Sequence, residues 1–234
     1  MSGQQFVHLH NHTEYSMLDG AARVAELLDE AQAQAMPALA ITDHGNMFGA
    51  FDFYRQARTR GITPIIGIEA YVAPRTSRFD RTRVQWNKGG DDDVSGGGAF
   101  THLTLLAQST TGMHNLFRLA SLASIEGFFY KPRMDYELLS QYSEGVIAFT
   151  GCPSGEVQTW LRIGRYDEAM KAASDLRDIF GADNLFVELM DHGLDIEARV
   201  AKDLVRLAGD LDPVSYTHLT LPTTCNLCRS RWSP

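Results

Sequence analysis

A chain of 234 residues with 44% hydrophobic content is long enough for a single α/β barrel domain with a sizeable core. No apolar run approaches membrane-spanning length, the start lacks a secretory signal, and three cysteines make no disulfide framework, so a cytoplasmic protein without a membrane partner is expected. The net charge of −8 argues against this segment gripping a DNA backbone alone, because nonspecific DNA affinity comes from lysine and arginine neutralising phosphates.

Phe6 to His10 reads as a first strand. Side chains alternate along a strand, so His8, His10 and His12 project to one side and Val7 and Leu9 to the other. Two imidazoles spaced i, i+2 can then grip one metal, although a polar strand face could also carry such a pair by chance. Arg23 to Ala35 places Val24, Leu27, Leu28 and Ala31 at helical spacing, and Pro37 ends that helix before a strand at Ala38 to Thr42 that leads into Asp43-His44-Gly45. Met47 to Arg60 predicts the next helix, with Gly61 as its terminator.

Ile62 to Val72 is strand-like and contains Glu69. The pattern then collapses: residues 74–98 hold five basic residues, an Asp91-Asp92-Asp93 run and a Gly96-Gly97-Gly98 run, and read as an irregular insertion loop. Its Arg75, Arg78, Arg81, Arg83 and Lys88 either touch DNA phosphates or lie in solvent. His102 to Ala107 restores a strand and Met113 to Ala123 a helix; Val146 to Thr150 is a strand leading through Gly151 to Cys152. Tyr166 to Phe180 is a helix, and Leu185 to Met190 and Ile196 to Leu211 add one strand and one helix. Such alternation predicts repeated β-α units around a parallel sheet, and a β/α barrel builds its site from residues at strand ends.

Five stretches carry a specific resemblance: His10-Asn-His-Thr-Glu-Tyr-Ser-Met-Leu-Asp-Gly20, Ile41-Thr-Asp-His-Gly-Asn-Met47, Gly67-Ile-Glu-Ala-Tyr71, Thr101-His-Leu-Thr-Leu-Leu106 and Thr150-Gly-Cys-Pro-Ser-Gly-Glu156. Together they resemble the PHP (polymerase and histidinol phosphatase) metal-dependent phosphoesterases, in the form found at the amino terminus of bacterial replicative DNA polymerases. The likeness runs from about Phe6 to Pro213. It implies an α/β fold, a distorted TIM-like β/α barrel, with two or three divalent metal ions, zinc or manganese. It also implies 3′–5′ exonuclease chemistry, a metal-dependent phosphodiester hydrolysis that needs no protein nucleophile. The parent would be a DNA-directed DNA polymerase, a nucleotidyltransferase of DNA replication. Its partners would be DNA, held through the full polymerase, and the other polymerase domains and holoenzyme subunits.

Carried over residue by residue, the resemblance implies His10, His12, Asp19, His44, Glu69, His102 and Cys152 as metal ligands. Neutral imidazoles suit zinc, manganese or iron, and a Cys152 thiolate would bias the site toward zinc. His8 stands where the family usually has an aspartate that orients a ligand, so it supports a ligand or is a hydrogen-bonded core histidine. Asp43 should face away from His44 and brace the turn. Asp19 has a rival reading as a helix N-cap, which from the residues alone would lead. The rival for Glu69 is a salt bridge. His102 precedes its strand, so spacing supports it weakly and its motif carries it. Asp191-His192 is read as capping the helix before Leu194, not as a ligand pair.

Residues from Val214 to Pro234 break the pattern and resemble a translated sequencing-library adapter, a non-native tail with neither helical nor barrel-strand sense. Its Cys225-x-x-Cys228 is half a zinc site at best. In the family the next strand ends in an Asp-x-His pair that completes the cluster, so this chain is expected to be truncated before its last strand, short of two ligands, and with little or no nuclease activity. Two further readings compete: a PHP domain that no longer catalyses and serves as a structural platform, and a free-standing phosphatase such as histidinol phosphatase. A hydrolase with Cys152 as nucleophile beside a histidine finds no support beyond that cysteine, since there is no nucleophile elbow and no lysine to cradle a phosphate.

Overall fold

The computed structural model describes residues 6–86, 96–211 and 216–218. The architecture is a curled, mixed α/β half-barrel. Its strands are β1 (Ala38–Ile41), β2 (Thr63–Val72), β3 (Thr101–Ala107), β4 (Phe128–Phe129), β5 (Lys131–Met134), β6 (Val146–Phe149), β7 (Leu185–Leu189) and β8 (Tyr216–His218). They run in the order β4-β5-β2-β3-β6-β7-β8, with β1 beside the first half of β2.

The long strand β2 organises the sheet. Its first half pairs in parallel with β1, from Ala38↔Thr63 to Ile41↔Ile66, and its second half pairs antiparallel with β3, from Gly67↔Leu106 to Val72↔Thr101. Glycine at 67 permits that switch, because a Cβ there would lie 2.5 Å from both the Leu105 carbonyl oxygen and Leu106 Cδ2.

Strand alternation gives the sheet two chemically different faces. Ile68, Ala70 and Val72 of β2, Leu103 and Leu105 of β3, Val146 and Ala148 of β6, and Leu185 and Val187 of β7 belong to one buried cluster with helical residues such as Leu116, Leu119, Leu176 and Leu204. The helices covering it are α3 (Thr110–Glu126), α4 (Tyr136–Gln141), α5 (Glu156–Arg162), α6 (Tyr166–Phe180) and α7 (Asp195–Asp210). A second cluster joins α1 (Val24–Ala33) and α2 (Ala50–Thr59) to β1 and the start of β2 through Leu28, Leu39, Phe53 and Ile66. On the opposite face, Leu106, Phe149 and Ala40 form a small apolar cluster with Leu9, Ile147 and Phe186. The same strand parity then brings Glu69, His102, Thr104 and Glu188 to that face.

The longer helices follow the hydrophobic periodicity closely, whereas the rest of the fold departs from expectation in four ways. β3 is antiparallel to both β2 and β6, so the β-α repeat around an all-parallel sheet fails there. Phe6 to His10 is not a regular strand; it runs beside β1 with only isolated bonds, Ala40 N to His8 O at 3.0 Å and Thr42 N to Asn11 O at 2.9 Å. The short elements β4, β5, α4 and α5 carry too few residues to show a period. Finally, Tyr216–His218, within the stretch expected to have no strand sense, pairs in parallel with β7 from Val187↔Tyr216 to Leu189↔His218. The remainder of the adapter-like tail, with Cys225 and Cys228, lies outside the described residues, as does the Asp91-Asp92-Asp93 run.

Residues 74–86 contain turns and no helix or strand. Two of their arginines pair with carboxylates of the fold, Arg78 buried and Arg75 still partly exposed. Arg78 is buried, with Nη1 2.9 Å from Asp135 Oδ1 and Nε 2.7 Å from Glu126 Oε2, and Arg75 Nε lies 2.5 Å from Glu156 Oε1. Arg81 and Arg83 are exposed, Arg83 over the Tyr130 ring at 4.9 Å, and Lys88 lies outside the described residues. Among the described residues no helix is long and apolar enough to cross a membrane.

Candidate metal centre

The cluster is built on Glu69, a carboxylate 1% exposed in the middle of β2. One of its oxygens, Oε2, is 2.9 Å from His12 Nε2, 2.9 Å from His44 Nδ1 and 3.4 Å from His10 Nε2, while Oε1 is 2.9 Å from His102 Nδ1. These residues make two groups able to hold a cation, His10-His12-Glu69 and His44-Glu69-His102, which share the carboxylate. Burial opposes ionisation of Glu69, and the positive character of His102, His10 and His44 outweighs it, holding the carboxyl well below its usual range.

Local structure explains each position. His44 lies just past β1, where Gly45 N donates to Glu69 O and Glu69 N donates to Asp43 O, so His44 sits directly beside Glu69. His102 is the second residue of β3, and because β3 runs antiparallel its start lies at the end of the sheet where the parallel strands finish. The direction of that strand resolves the awkward spacing seen in the sequence.

Asp43 is buried and accepts from Thr13 N at 2.7 Å, Thr13 Oγ1 at 2.8 Å and Ser16 Oγ at 2.6 Å. It braces the turn around Glu14–Asp19. Ser16 spends its proton on Asp43, so the 2.9 Å contact from His12 Nδ1 must be donated by the imidazole. The lone pair of His12 then sits on Nε2, facing the cluster.

His10 Nδ1 lies 2.6 Å from Glu188 Oε1, which aims its other nitrogen at His12 Nε2, 3.2 Å away. Two imidazole lone pairs opposed at that distance repel unless a proton or a cation lies between them. Without an ion, a proton does so. Burial disfavours charge on both rings, but the Glu188 and Glu69 carboxylates outweigh it for His10, raised to about 10, and not for His12, which is lowered. His44 Nδ1 is buried without a hydrogen-bond partner, since its approach to Glu69 is close but poorly directed. An orphaned imidazole nitrogen, opposed imidazoles and one shared carboxylate fit a divalent-cation cluster of nitrogen and oxygen donors.

The other expected residues lie at its edge. Cys152 Sγ is 3.4 Å from His102 Nδ1, and burial first, then Glu69, pushes its thiol well above the usual range, so without an ion it is a poor nucleophile. Asp19 closes the Glu14–Asp19 turn and is not the N-cap of α1, a position held by Arg23. Its half-exposed carboxylate is 3.8 Å from His44 Nε2. His8 is buried against Phe6 and joins neither cation group. Asp191 does not cap α7, whose N-cap is Leu194; instead Glu197 accepts from His192 N at 2.6 Å and meets its Nδ1 at 2.7 Å.

Sequence reasoning missed Glu188. The available signal was a carboxylate inside the apolar run Leu185-Phe-Val-Glu-Leu189, at the same strand parity as Phe186. Thr104, opposite Glu69 on β3, was missed too; its hydroxyl donates to Glu188 Oε2 at 3.0 Å.

The sequence of "DNA polymerase III subunit alpha" from Saccharopolyspora erythraea is 60% identical over 215 residues, covering 88% of this chain and 18% of that protein. Its counterpart in Mycobacterium tuberculosis is 56% identical over 214 residues, covering 90% of this chain and again 18% of the relative. The chain thus spans about a fifth of the length of these relatives. The PHP domain profile matches residues 8–192, a span that contains every residue of the cluster, and the chain belongs to the PHP domain family.

Proposed function

We propose that the cluster is the metal centre of a phosphodiester hydrolase, the 3′–5′ exonuclease of a replicative DNA polymerase subunit. The observation that carries this reading is the approach of His10, His12 and His44 nitrogens to the single buried oxygen Glu69 Oε2. His10, His12 and Glu69 would hold one cation and His44, Glu69 and His102 a second, with Cys152 and Asp19 as further donors at the edge. Divalent cations bound there supply Lewis acidity to a phosphodiester and to the water that attacks it. Zinc or manganese suits this donor set.

The chain's own residues fix the donors. Ser16 and Glu188 set the tautomers of His12 and His10, Asp43 anchors the turn that carries Ser16, and among the described residues no side chain is placed as a covalent nucleophile. The high identity to polymerase III alpha subunits supports a DNA-directed DNA polymerase, a cytoplasmic nucleotidyltransferase, as the parent, with DNA and the other polymerase subunits as partners. It also disfavours a free-standing phosphatase. The net charge of −8 leaves the grip on DNA to the rest of that polymerase. A purely structural platform has no use for four imidazoles gathered on one buried carboxylate, because such a site is costly to hold without an ion.

The test uses the full-length polymerase subunit carrying this domain, with 5′-labelled single-stranded DNA and manganese or zinc. Stepwise shortening from the 3′ end, lost in Glu69→Gln and His10→Ala while primer extension persists, is the expected result. Shortening that is equal in all three proteins would refute the assignment.

A further inference from the structure

Glu188 is a carboxylate 1% exposed on β7, and its oxygens meet neither lysine nor arginine among the described residues. Oε1 is 2.6 Å from His10 Nδ1, and Oε2 accepts the Thr104 hydroxyl at 3.0 Å; that hydroxyl also lies 3.2 Å from His10 Nδ1. The backbone around it is fixed as well, since Glu188 N donates to Thr150 Oγ1 at 3.0 Å and Gln158 Nε2 donates to the same hydroxyl at 3.1 Å. A buried carboxylate with no lysine or arginine partner among the described residues is an expensive feature, and an apolar residue at this position would extend the neighbouring Leu106-Phe149-Phe186 cluster.

We propose that Glu188 is a positioning residue of the metal centre, holding the proton of His10 on Nδ1 so that the Nε2 lone pair faces Glu69 and His12. This inference rests on the metal reading above. A neutral imidazole has one lone pair, and the nitrogen that carries it is decided by what the other nitrogen donates to. Glu188 makes that decision for His10, Thr104 orients Glu188, and the strand pairing of β2 with β3 places Thr104 opposite Glu69. Carboxylates that accept from the distal nitrogen of a metal-binding histidine set its orientation and raise its basicity, and losing one typically weakens metal binding about 10- to 100-fold.

The experiment is a cobalt(II) titration of the chain and of its Glu188→Leu and Glu188→Gln variants. Absorption in the visible range reports coordination geometry, zinc competition reports affinity, and circular dichroism and melting without metal check the fold. Glu188→Leu should weaken cobalt binding about 10- to 100-fold and change the cobalt spectrum. Glu188→Gln keeps a neutral acceptor for Nδ1–H and should recover part of the affinity. If leucine disrupts the fold, the isosteric glutamine decides alone, by a weaker affinity and a shifted spectrum. Folded variants with wild-type affinity and an unchanged spectrum would overturn the proposal. A wild-type chain that takes up no cobalt would fail the metal reading itself, and this inference with it.

Discussion

Asp43, just past β1, and Glu69, on the neighbouring β2, are equally buried, yet their partners give them opposite tasks. Asp43 is satisfied by one backbone N–H and two hydroxyls, so its charge organises the turn. Removing it strands three donors, and Asp43→Ala should cost about 3 kcal/mol in a denaturant titration, with Asp43→Asn costing less. A shift within 0.5 kcal/mol, a magnitude typical of surface changes, would show that the turn is held by something else. Glu69 meets four imidazoles and the Cys152 thiol, which makes it the hub. Most of this was legible in the sequence, because a histidine pair at i, i+2 and the Thr-Asp-His-Gly turn announce themselves by residue type. Glu188 was not legible: it stands inside an apolar run, and only the neighbouring strands reveal that its face is the polar one.

At the scale of elements, helices α1, α2, α3, α6 and α7 follow from amphipathic periodicity, since each buries one stripe against the sheet. Strand direction does not follow from it. Alternation looks the same in both senses, so the antiparallel course of β3, which brings His102 to the site, could not be read from the residues. Nor could the link between residues 78–80 and the sheet, which depends on Arg133 of β5. Its guanidinium is fully buried and donates to the carbonyl oxygens of Gly127, Ala99, Arg78 and Asp80. Arg133→Ala should therefore destabilise the fold by about 3 to 5 kcal/mol, read from the unfolding midpoint, and Arg133→Lys by less. Wild-type stability in Arg133→Ala would refute this clamp.

The start of α7 offers a pH test at the same scale. The hydrogen bond to Glu197 outweighs burial and raises His192 above its ordinary 6.5. A raised folded value means that the pair stabilises fully below 6.5 and loses its contribution as pH climbs through the folded value. The melting difference between wild type and His192→Asn should accordingly be larger at pH 6 than at pH 9. An equal difference at both would contradict the ion pair.

On the scale of the whole molecule, the sheet separates its tasks between two faces, one buried under five helices and the other carrying the cluster at the end of a small apolar plug. The family likeness gave the fold class and the residues gathered around Glu69, while the edge beyond β7 escaped it, because β8 lies in a segment set aside as a non-native tail even though Tyr216 and Thr217 are strand-favouring residue types. The central claim, that Glu69 gathers a divalent-cation cluster, has a more direct test. The purified chain and its Glu69→Gln variant, matched by circular dichroism, are dialysed against zinc or manganese and their metal content measured by mass spectrometry. The account predicts about two equivalents retained by the wild type, from the two groups sharing Glu69, and a marked loss in Glu69→Gln; no retained metal, or equal metal in both proteins, would contradict it.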